Sequence, residues 1–356
     1  MRSRALPAWI WPGPPGPVEI GAAVRAALCG VVPLALLLAV GRQDLIVYVA
    51  FPAFTSLYGR GERYRQRAVT LLVAGAAFVS VVGLAMLASI VALPGWAQAL
   101  LLAGLAAGGV LLSERMQWIP FGATFLVFAF AVVASVPVTP AQVAARLGLA
   151  VATVALCWAV AMAGLWLRRV RPAWLLRALP PLRAVQRRPG AWRDAMVWWT
   201  AGEVALGVVV AIAVAEALGL GHAYWAAVTV AACIPRPHSS GFVPKIGHRV
   251  VGTALGVVVA GLVLGAAPPP WALVAAVGAF QFATELFVGR LYWLGTVFIT
   301  PLALVVGHLA EASPLRPLLA DRLFDTLVGG AVLLVLGHAG RPVARRLLRS
   351  AAEPRR

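Results

Sequence analysis

Residues 44–75 read DLIVYVAFPAFTSLYGRGERYRQRAVTLLVAG, and this stretch decides the fold of the chain. A short apolar run, interrupted by Pro52, leads into an arginine-rich turn and then into a long apolar run. Residues 222–261, HAYWAAVTVAACIPRPHSSGFVPKIGHRVVGTALGVVVAG, repeat this order in the second half of the chain. In each copy an arginine, Arg67 or Arg249, begins the long run. Internal similarity of this kind indicates a duplicated architecture.

The composition is typical of a membrane protein. Hydrophobic residues make up 62% of the chain and charged residues 12%, with a mean hydropathy of +0.89, which excludes a soluble globular protein. A spanning helix needs about 20 mainly apolar residues. We therefore predict an all-α polytopic membrane protein with about 12 transmembrane helices, near residues 20–41, 45–58, 67–92, 96–113, 118–136, 143–167, 196–219, 223–235, 248–267, 271–288, 291–308 and 322–340.

The candidate helices form two repeats of six. The fourth begins at Trp96 and ends at Arg115, and the tenth begins at Trp271 and ends at Arg290. An even number of helices per repeat gives both repeats the same orientation in the bilayer, related by an axis along the membrane normal. The predicted organisation is an N-terminal tail (1–19), a first repeat (20–167), a basic linker (168–195), a second repeat (196–340) and a basic C-terminal tail (341–356).

The net charge of +18 comes mostly from arginines between the predicted helices. With the N-terminus inside, most of them fall on the cytoplasmic side, as the positive-inside rule requires. This pattern predicts cytoplasmic N- and C-termini in the inner membrane of a bacterium, with anionic lipids as partners of the arginines. It also explains the basic charge without nucleic acid, so we exclude a nucleic-acid partner.

The sequence predicts neither a cofactor nor an enzyme. The three cysteines lie in apolar runs, and the five histidines lack the spacing of metal ligands. There is no glycine-rich phosphate loop that ends in lysine and serine or threonine, which excludes ATP-driven transport within this chain.

The two short apolar runs are the first candidate site. Short or proline-interrupted segments at matching places in two repeats indicate a transporter's binding site, because the freed backbone groups must face protein or a water-filled cavity. The aromatic side chains of these runs would line that cavity, with interfacial anchoring or core packing as the alternative: Tyr48, Phe51, Phe54, Tyr58, Tyr224 and Trp225.

Charged residues supply the other candidates. Arg67 and Arg249 begin matching helices and offer planar recognition of a carboxylate, with the positive-inside rule as the alternative explanation. Glu285 lies within a predicted helix, which suggests a proton-coupling role. Arg25 and Glu203 occupy matching positions with opposite charge, so they are predicted to pair between the repeats or else to extend towards the interface.

Three segments give the chain a resemblance to a known family: YWAAVTVAACIPRP with RVVGTALG (224–256), RLFDTLVGG (322–330) and AFTSLYGRGERYRQRA (53–68). They resemble the fusaric acid resistance (FUSC) family of integral membrane transporters, which includes aromatic acid exporters. Many members carry a sizeable cytoplasmic domain, whereas this chain has only the short linker. The resemblance implies efflux of small, often aromatic, carboxylates, driven by the proton gradient.

The sequence therefore predicts an exporter of small organic anions. A non-transporting membrane scaffold, such as a partner of an envelope complex, is the alternative, and a membrane enzyme is a weaker one. The substrate, the coupling ion and any homo-oligomer stay open at this stage.

Overall fold

The computed structural model describes residues 15–169, 182–239, 242–310 and 314–352. Within those ranges the regular structure is helical, apart from one isolated bridge between Glu62 and Arg183. The N-terminal tail up to residue 14 and linker residues 170–181 lie outside the described residues. The helices are α1 Pro17–Ala39, α2 Val47–Ala53, α3 Tyr64–Ile90, α4 Gly95–Met116, α5 Thr124–Ser135, α6 Pro140–Arg169, α7 Ala195–Ala217, α8 Tyr224–Cys233, α9 Val243–Gly265, α10 Pro270–Phe287, α11 Tyr292–Ala310, α12 Leu315–Ala339 and α13 Arg341–Ala352.

The chain is an all-α polytopic membrane protein, as predicted. Among the described residues, eight helices are long and apolar enough to cross a membrane: α1, α3, α4, α6, α7, α9, α10 and α11. Three apolar helices are shorter, at Val47–Leu57, Thr124–Ser135 and Tyr224–Cys233. A helix occupies each of the predicted positions, but the number of membrane crossings stays a prediction.

Proline and glycine explain why the two short helices end where they do. Pro52 lies inside α2, whose last turn continues as a 3₁₀ helix to Leu57, and Gly59 then takes a positive φ of 72°. That backbone conformation suits a residue without a Cβ. Helix α8 ends at Cys233, and Ile234 before Pro235 adopts the extended backbone that precedes proline.

The same helix pairs pack together in the two halves of the chain. In the first half α1 contacts α2 and α6, α3 contacts α5 and α6, α2 contacts α6, and α4 contacts α5. The corresponding pairs among α7–α12 are also in contact. Between the halves, α1 packs on α10 as α4 packs on α7, and α5 packs on α8 as α2 packs on α11. This pairing supports the predicted duplication, whereas the common orientation of the repeats stays a prediction.

The described part of the linker is anchored at both ends. Arg183 exchanges backbone hydrogen bonds with Gly61 and Arg63, at 2.8 and 3.1 Å. At the other end Asp194 caps α7 by accepting from the backbone N–H of Met196 at 2.9 Å. Burial raises the pKa of Asp194, but hydrogen bonds from His238, Met196 and Arg188 outweigh it and hold this pKa below its usual value.

Two glycines on α9 let this helix approach α11 closely. A Cβ added at Gly252 would lie 2.6 Å from the Cβ of Thr296, and one added at Gly256 would lie 2.7 Å from the Cβ of Thr300. Real carbon atoms do not approach so closely, so small residues are required here. The spacing of four residues places both glycines on one face of the helix.

We expect Gly252→Ala and Gly256→Ala each to lower the free energy of unfolding by about 2 kcal/mol, the usual cost of overpacking. Thermal unfolding in detergent micelles measures the effect. Gly247→Ala is the matched control, because no atom lies within 4 Å of an added Cβ there. It should leave stability unchanged or raise it slightly through the better helix propensity of alanine. Equal effects at all three positions would contradict the close contact.

Candidate functional site

A cavity of about 100 Å³ lies between the two halves of the molecule. Helices α1, α2 and α5 of the first half form one side of it, and α8 to α12 of the second half form the other. Both short apolar helices thus contribute residues to its wall. The wall is mainly apolar, with these polar exceptions: Ser56, Thr124, Tyr224, Gln281, Arg249 and Arg322.

Aromatic rings run across the cavity from one half to the other. Phe51 of α2 lies 4.8 Å from Phe128 of α5, centroid to centroid and edge to face. Phe128 in turn lies 4.6 Å from Trp225 of α8. Ring contacts of this geometry stabilise beyond the area they bury. The two halves therefore meet through a continuous set of aromatic side chains that also forms the cavity wall.

Of the tyrosines predicted to line the cavity, only Tyr224 does so, together with the neighbouring Trp225. Tyr48 is fully buried within the first half, where its hydroxyl accepts a hydrogen bond from Arg146 at 2.6 Å. Tyr58 follows the end of the 3₁₀ helix in an extended conformation and packs on Trp118, with centroids 4.8 Å apart. The predicted place of Tyr48 and Tyr58 in the cavity wall is therefore wrong.

Arg67 and Arg249 are both buried but have different surroundings. Arg67 donates to the carbonyl oxygens of Gly59 at 3.0 Å and Ala161 at 3.3 Å, so it fixes the turn before α3. Arg249 lines the cavity and donates to the hydroxyl oxygens of Thr229 at 3.4 Å and Tyr292 at 3.2 Å. Only the second of these arginines faces a space that could hold a ligand.

Arg322 is the functional candidate that the sequence reasoning missed. It is 2% exposed and lines the cavity, and its guanidinium carbon lies 3.9 Å from the centroid of the Trp225 ring. Its Nε and Nη1 atoms have no hydrogen-bond partner among the described residues. Buried polar groups are nearly always paired, so these two nitrogen atoms are donors left free beside the cavity.

The matching arginine of the first half, Arg146, has hydrogen-bond partners that Arg322 lacks. Arg146, at the corresponding place in α6, donates to the Tyr48 hydroxyl and to the carbonyl of Pro137 at 3.2 Å. It lies over the Tyr48 ring as Arg322 lies over Trp225. An arginine–aromatic pair therefore occurs in both halves, but among the described residues only Arg322 of these two arginines has side-chain nitrogens without partners.

Asp325 follows Arg322 by one helical turn and is also without a partner. Its side chain has 0% exposure, and neither carboxylate oxygen has a hydrogen-bond partner among the described residues. The signal that could have found both residues is the spacing in RLFDTLVGG, where two ionisable groups share one face of an apolar helix.

Glu285, the predicted proton-coupling residue, does not line the cavity. It is buried and forms an ion pair with Arg60 from the turn between α2 and α3. Its predicted coupling role stays a prediction, because the ion pair gives the carboxylate a structural role as well. Gln281, one turn earlier on α10, lines the cavity together with Val277.

The structure does not bring Arg25 and Glu203 together, so their predicted pairing is wrong. Arg25 donates to the carbonyl oxygens of Ser56 at 2.8 Å and Tyr58 at 3.3 Å. Helix α1 packs on α10, and this contact places Arg25 near Glu285. Glu203 is half-buried on α7.

Two ion pairs connect the halves in a reciprocal way. Arg60, after the first short helix, pairs with Glu285 on α10 of the second half. Arg236, after the second short helix, pairs with Glu114 on α4 of the first half at 3.5 Å. Burial lowers the pKa of Arg236, and Glu114 opposes that effect. Both pairs lie on the side of the molecule that the arginine distribution assigns to the cytoplasm.

No group of histidine, cysteine, aspartate or glutamate residues in the described part of the chain could hold a metal ion. The site is instead an aromatic cavity with a positively charged wall. Such a site can bind an apolar ring and an anionic group at once, because stacking and charge-assisted hydrogen bonds use different parts of the ligand.

Comparison with known proteins adds one match. No curated protein and no solved structure matches the chain. Residues 209–336 match the family model described as fusaric acid resistance protein-like. The matched range contains α8, Arg249, Arg322 and Asp325. Over this range the chain is similar to the fusaric acid resistance (FUSC) family, which supports the resemblance seen in the sequence.

Proposed function

We propose that this protein exports small aromatic carboxylates across the inner membrane of a bacterium, using the proton gradient, with both termini in the cytoplasm. The observation that carries the proposal is that Nε and Nη1 of the buried Arg322 have no hydrogen-bond partner among the described residues, beside an aromatic cavity between the two halves. Cavities between repeats are where transporters of duplicated architecture bind their substrates.

The chemistry of the wall selects the substrate class. A guanidinium group presents parallel N–H donors that match the two oxygens of a carboxylate. The rings of Phe51, Phe128 and Trp225 offer faces and edges to an aromatic ring. An apolar cavity of about 150 Å³ binds benzene, so a cavity of about 100 Å³ suits a single ring after a small expansion. One ring with one carboxylate is therefore the proposed ligand.

The energy source follows from the charge of the ligand. A proton gradient across a membrane includes an electrical component that is negative inside, and this component is worth about 2.3 kcal/mol per elementary charge at 100 mV. It drives an anion outward. Arg249 and Arg322 carry two positive charges and Asp325 one negative charge, so the empty site returns inward with a net positive charge, which the potential also favours.

The experiment is uptake and release of radiolabelled benzoate and 4-hydroxybenzoate in proteoliposomes under imposed pH and electrical gradients, separately and together. We expect flux of the aromatic carboxylates that follows the electrical gradient, and much slower flux of cyclohexanecarboxylate and of neutral benzyl alcohol. Flux no greater than in protein-free vesicles, for every carboxylate and gradient, would overturn the proposal. That result would favour the alternative, a membrane scaffold that does not transport.

A further inference from the structure

Asp325 is a buried carboxylate that no part of the proposed binding chemistry uses. It lies three residues after Arg322 on α12, so the two side chains share one face of the helix. The two side chains do not form an ion pair. In the described part of the chain, hydrogen-bond partners are lacking for Nε and Nη1 of Arg322 and for both oxygens of Asp325. The arginine therefore stays available to a ligand while the carboxylate's charge remains nearby.

Few other charged groups surround this carboxylate. On α12 the groups that act on Asp325 are Arg322 and Asp321, and Asp321 is itself paired with His222 at 2.7 Å. From α8 the hydroxyl of Tyr224 faces the same cluster, and from α9 Arg249 acts on Arg322. Helix α7 contributes no charged group to it within the described residues. Asp325 is thus the buried negative charge next to the proposed anion site.

We propose that Asp325 is the residue that sets how tightly Arg322 holds an anionic substrate and so allows its release. This inference rests on the proposed function and deepens it. Asp325 does not touch the substrate in this account, and it is a positioning residue that acts through its charge.

The physical reason is that a transporter must release what it binds. Two buried guanidinium groups without a counter-charge would hold an anion tightly, because charges interact strongly where water is excluded. A negative charge close to the bound anion weakens its binding by roughly tenfold or more at the effective dielectric constants of protein interiors. Asp325 supplies this repulsion without occupying the donors of Arg322.

The same charge couples binding to pH. When Asp325 takes up a proton, the repulsion disappears and the anion binds more tightly. By linkage, the bound anion must raise the proton affinity of Asp325 by the same factor. We therefore expect the affinity for an anion to rise as the pH falls, and to do so only while residue 325 can ionise. Because the outside is the acidic side of a bacterial proton gradient, this linkage opposes release there, so the electrical component of the gradient drives export.

The test compares purified full-length wild type with Asp325→Asn. For radiolabelled benzoate at neutral pH, the variant should bind roughly tenfold or more tightly, with a lower KM and a lower kcat for flux in proteoliposomes. Glu216→Gln, which removes an exposed carboxylate from α7, is the matched control and should match wild type. Benzenesulfonate, which stays ionised across the whole range, serves for the pH series. Its Kd should fall with decreasing pH in wild type and stay constant in the variant.

Unchanged or weaker binding in Asp325→Asn, with normal binding in wild type, would overturn this inference alone. No binding of either anion to wild type would overturn the proposed function and this inference with it. If the variant does not fold, the wild-type pH series decides, because a Kd for benzenesulfonate that does not depend on pH contradicts the role of Asp325.

Discussion

Replacing Arg322 by methionine is expected to lower the affinity for aromatic carboxylates by about 100-fold or more without lowering the stability of the protein. The loss of binding follows from removing a buried, charge-assisted partner of the ligand, which typically costs about 2–5 kcal/mol. Flux in proteoliposomes should fall accordingly.

The stability of this variant distinguishes a binding role of Arg322 from a structural one. Nε and Nη1 of Arg322 are buried without partners, and each unsatisfied group costs about 1–3 kcal/mol. Methionine removes this cost, although it also removes the contact with the Trp225 ring, worth about 0.5–2 kcal/mol. We expect the thermal midpoint in detergent to stay the same or to rise. Residues that serve binding often lower the stability of the protein, so replacing them can raise it.

Two matched variants control this result. Arg316→Met changes an exposed arginine of the same helix and should affect neither property. Arg146→Met changes the repeat-matched arginine, whose hydrogen bonds to Tyr48 and Pro137 are satisfied, and should lower stability while binding persists. Wild-type affinity in Arg322→Met would contradict the account, and so would a loss of stability equal to that of Arg146→Met.

The second large effect is expected at the ion pair between Arg60 and Glu285. Replacing Glu285 by glutamine leaves the charge of Arg60 and that of the nearby Arg25 without their buried partner. Removing one member of a buried pair costs about 3–5 kcal/mol. We expect Glu285→Gln to lower the free energy of unfolding by about 3 kcal/mol, the lower end of that range, because Arg60 is partly exposed.

A double-mutant cycle measures this pair directly. Arg60→Gln combined with Glu285→Gln should recover part of the stability that Glu285→Gln loses alone. Asp44→Asn is the control, because its ion pair with Arg42 is more than half exposed on both sides and should contribute less than about 1 kcal/mol. A Glu285→Gln variant that is as stable as wild type but has lost only its dependence on the proton gradient would instead support the coupling role that the sequence suggested.

The sequence predicted the features that depend on composition and spacing. The helical segments and the two short apolar helices, one of them interrupted by Pro52, follow from local patterns. Arg249 was found because similar segments in the two halves match it with Arg67, although α3 and α9 begin earlier, at Tyr64 and Val243. Its place in the cavity wall agrees with the predicted binding role, which remains to be tested.

The wrong predictions concern which face of a helix meets which neighbour, and this depends on the rotation of the helix about its own axis. Helix α2 is apolar on every side, so nothing in its sequence distinguishes the face of Tyr48, which meets Arg146, from the face of Phe51, which meets the cavity. Arg25 and Glu203 are equivalent by repetition, but equivalent residues meet only if they lie near the symmetry axis, and sequence does not give that distance.

Arg322 was missed for a related reason. An arginine at the start of a predicted helix is expected at the membrane interface without any binding role. The burial of Arg322 over Trp225 depends on how α12 packs on α8, which the sequence does not give. The three-dimensional structure separates it from Arg146 because only one of the two finds hydrogen-bond partners. The difference between the repeats, rather than their similarity, therefore locates the candidate site.

The most direct test of the central claim is a structure of the protein with 4-iodobenzoate, with the iodine located by its anomalous signal. The account predicts one iodine position among Phe51, Phe128 and Trp225, with the carboxylate against Arg322, and loss of that position in Arg322→Met. An iodine found only on the outer surface of the molecule, or the same occupancy in Arg322→Met, would contradict an anion site between the two halves.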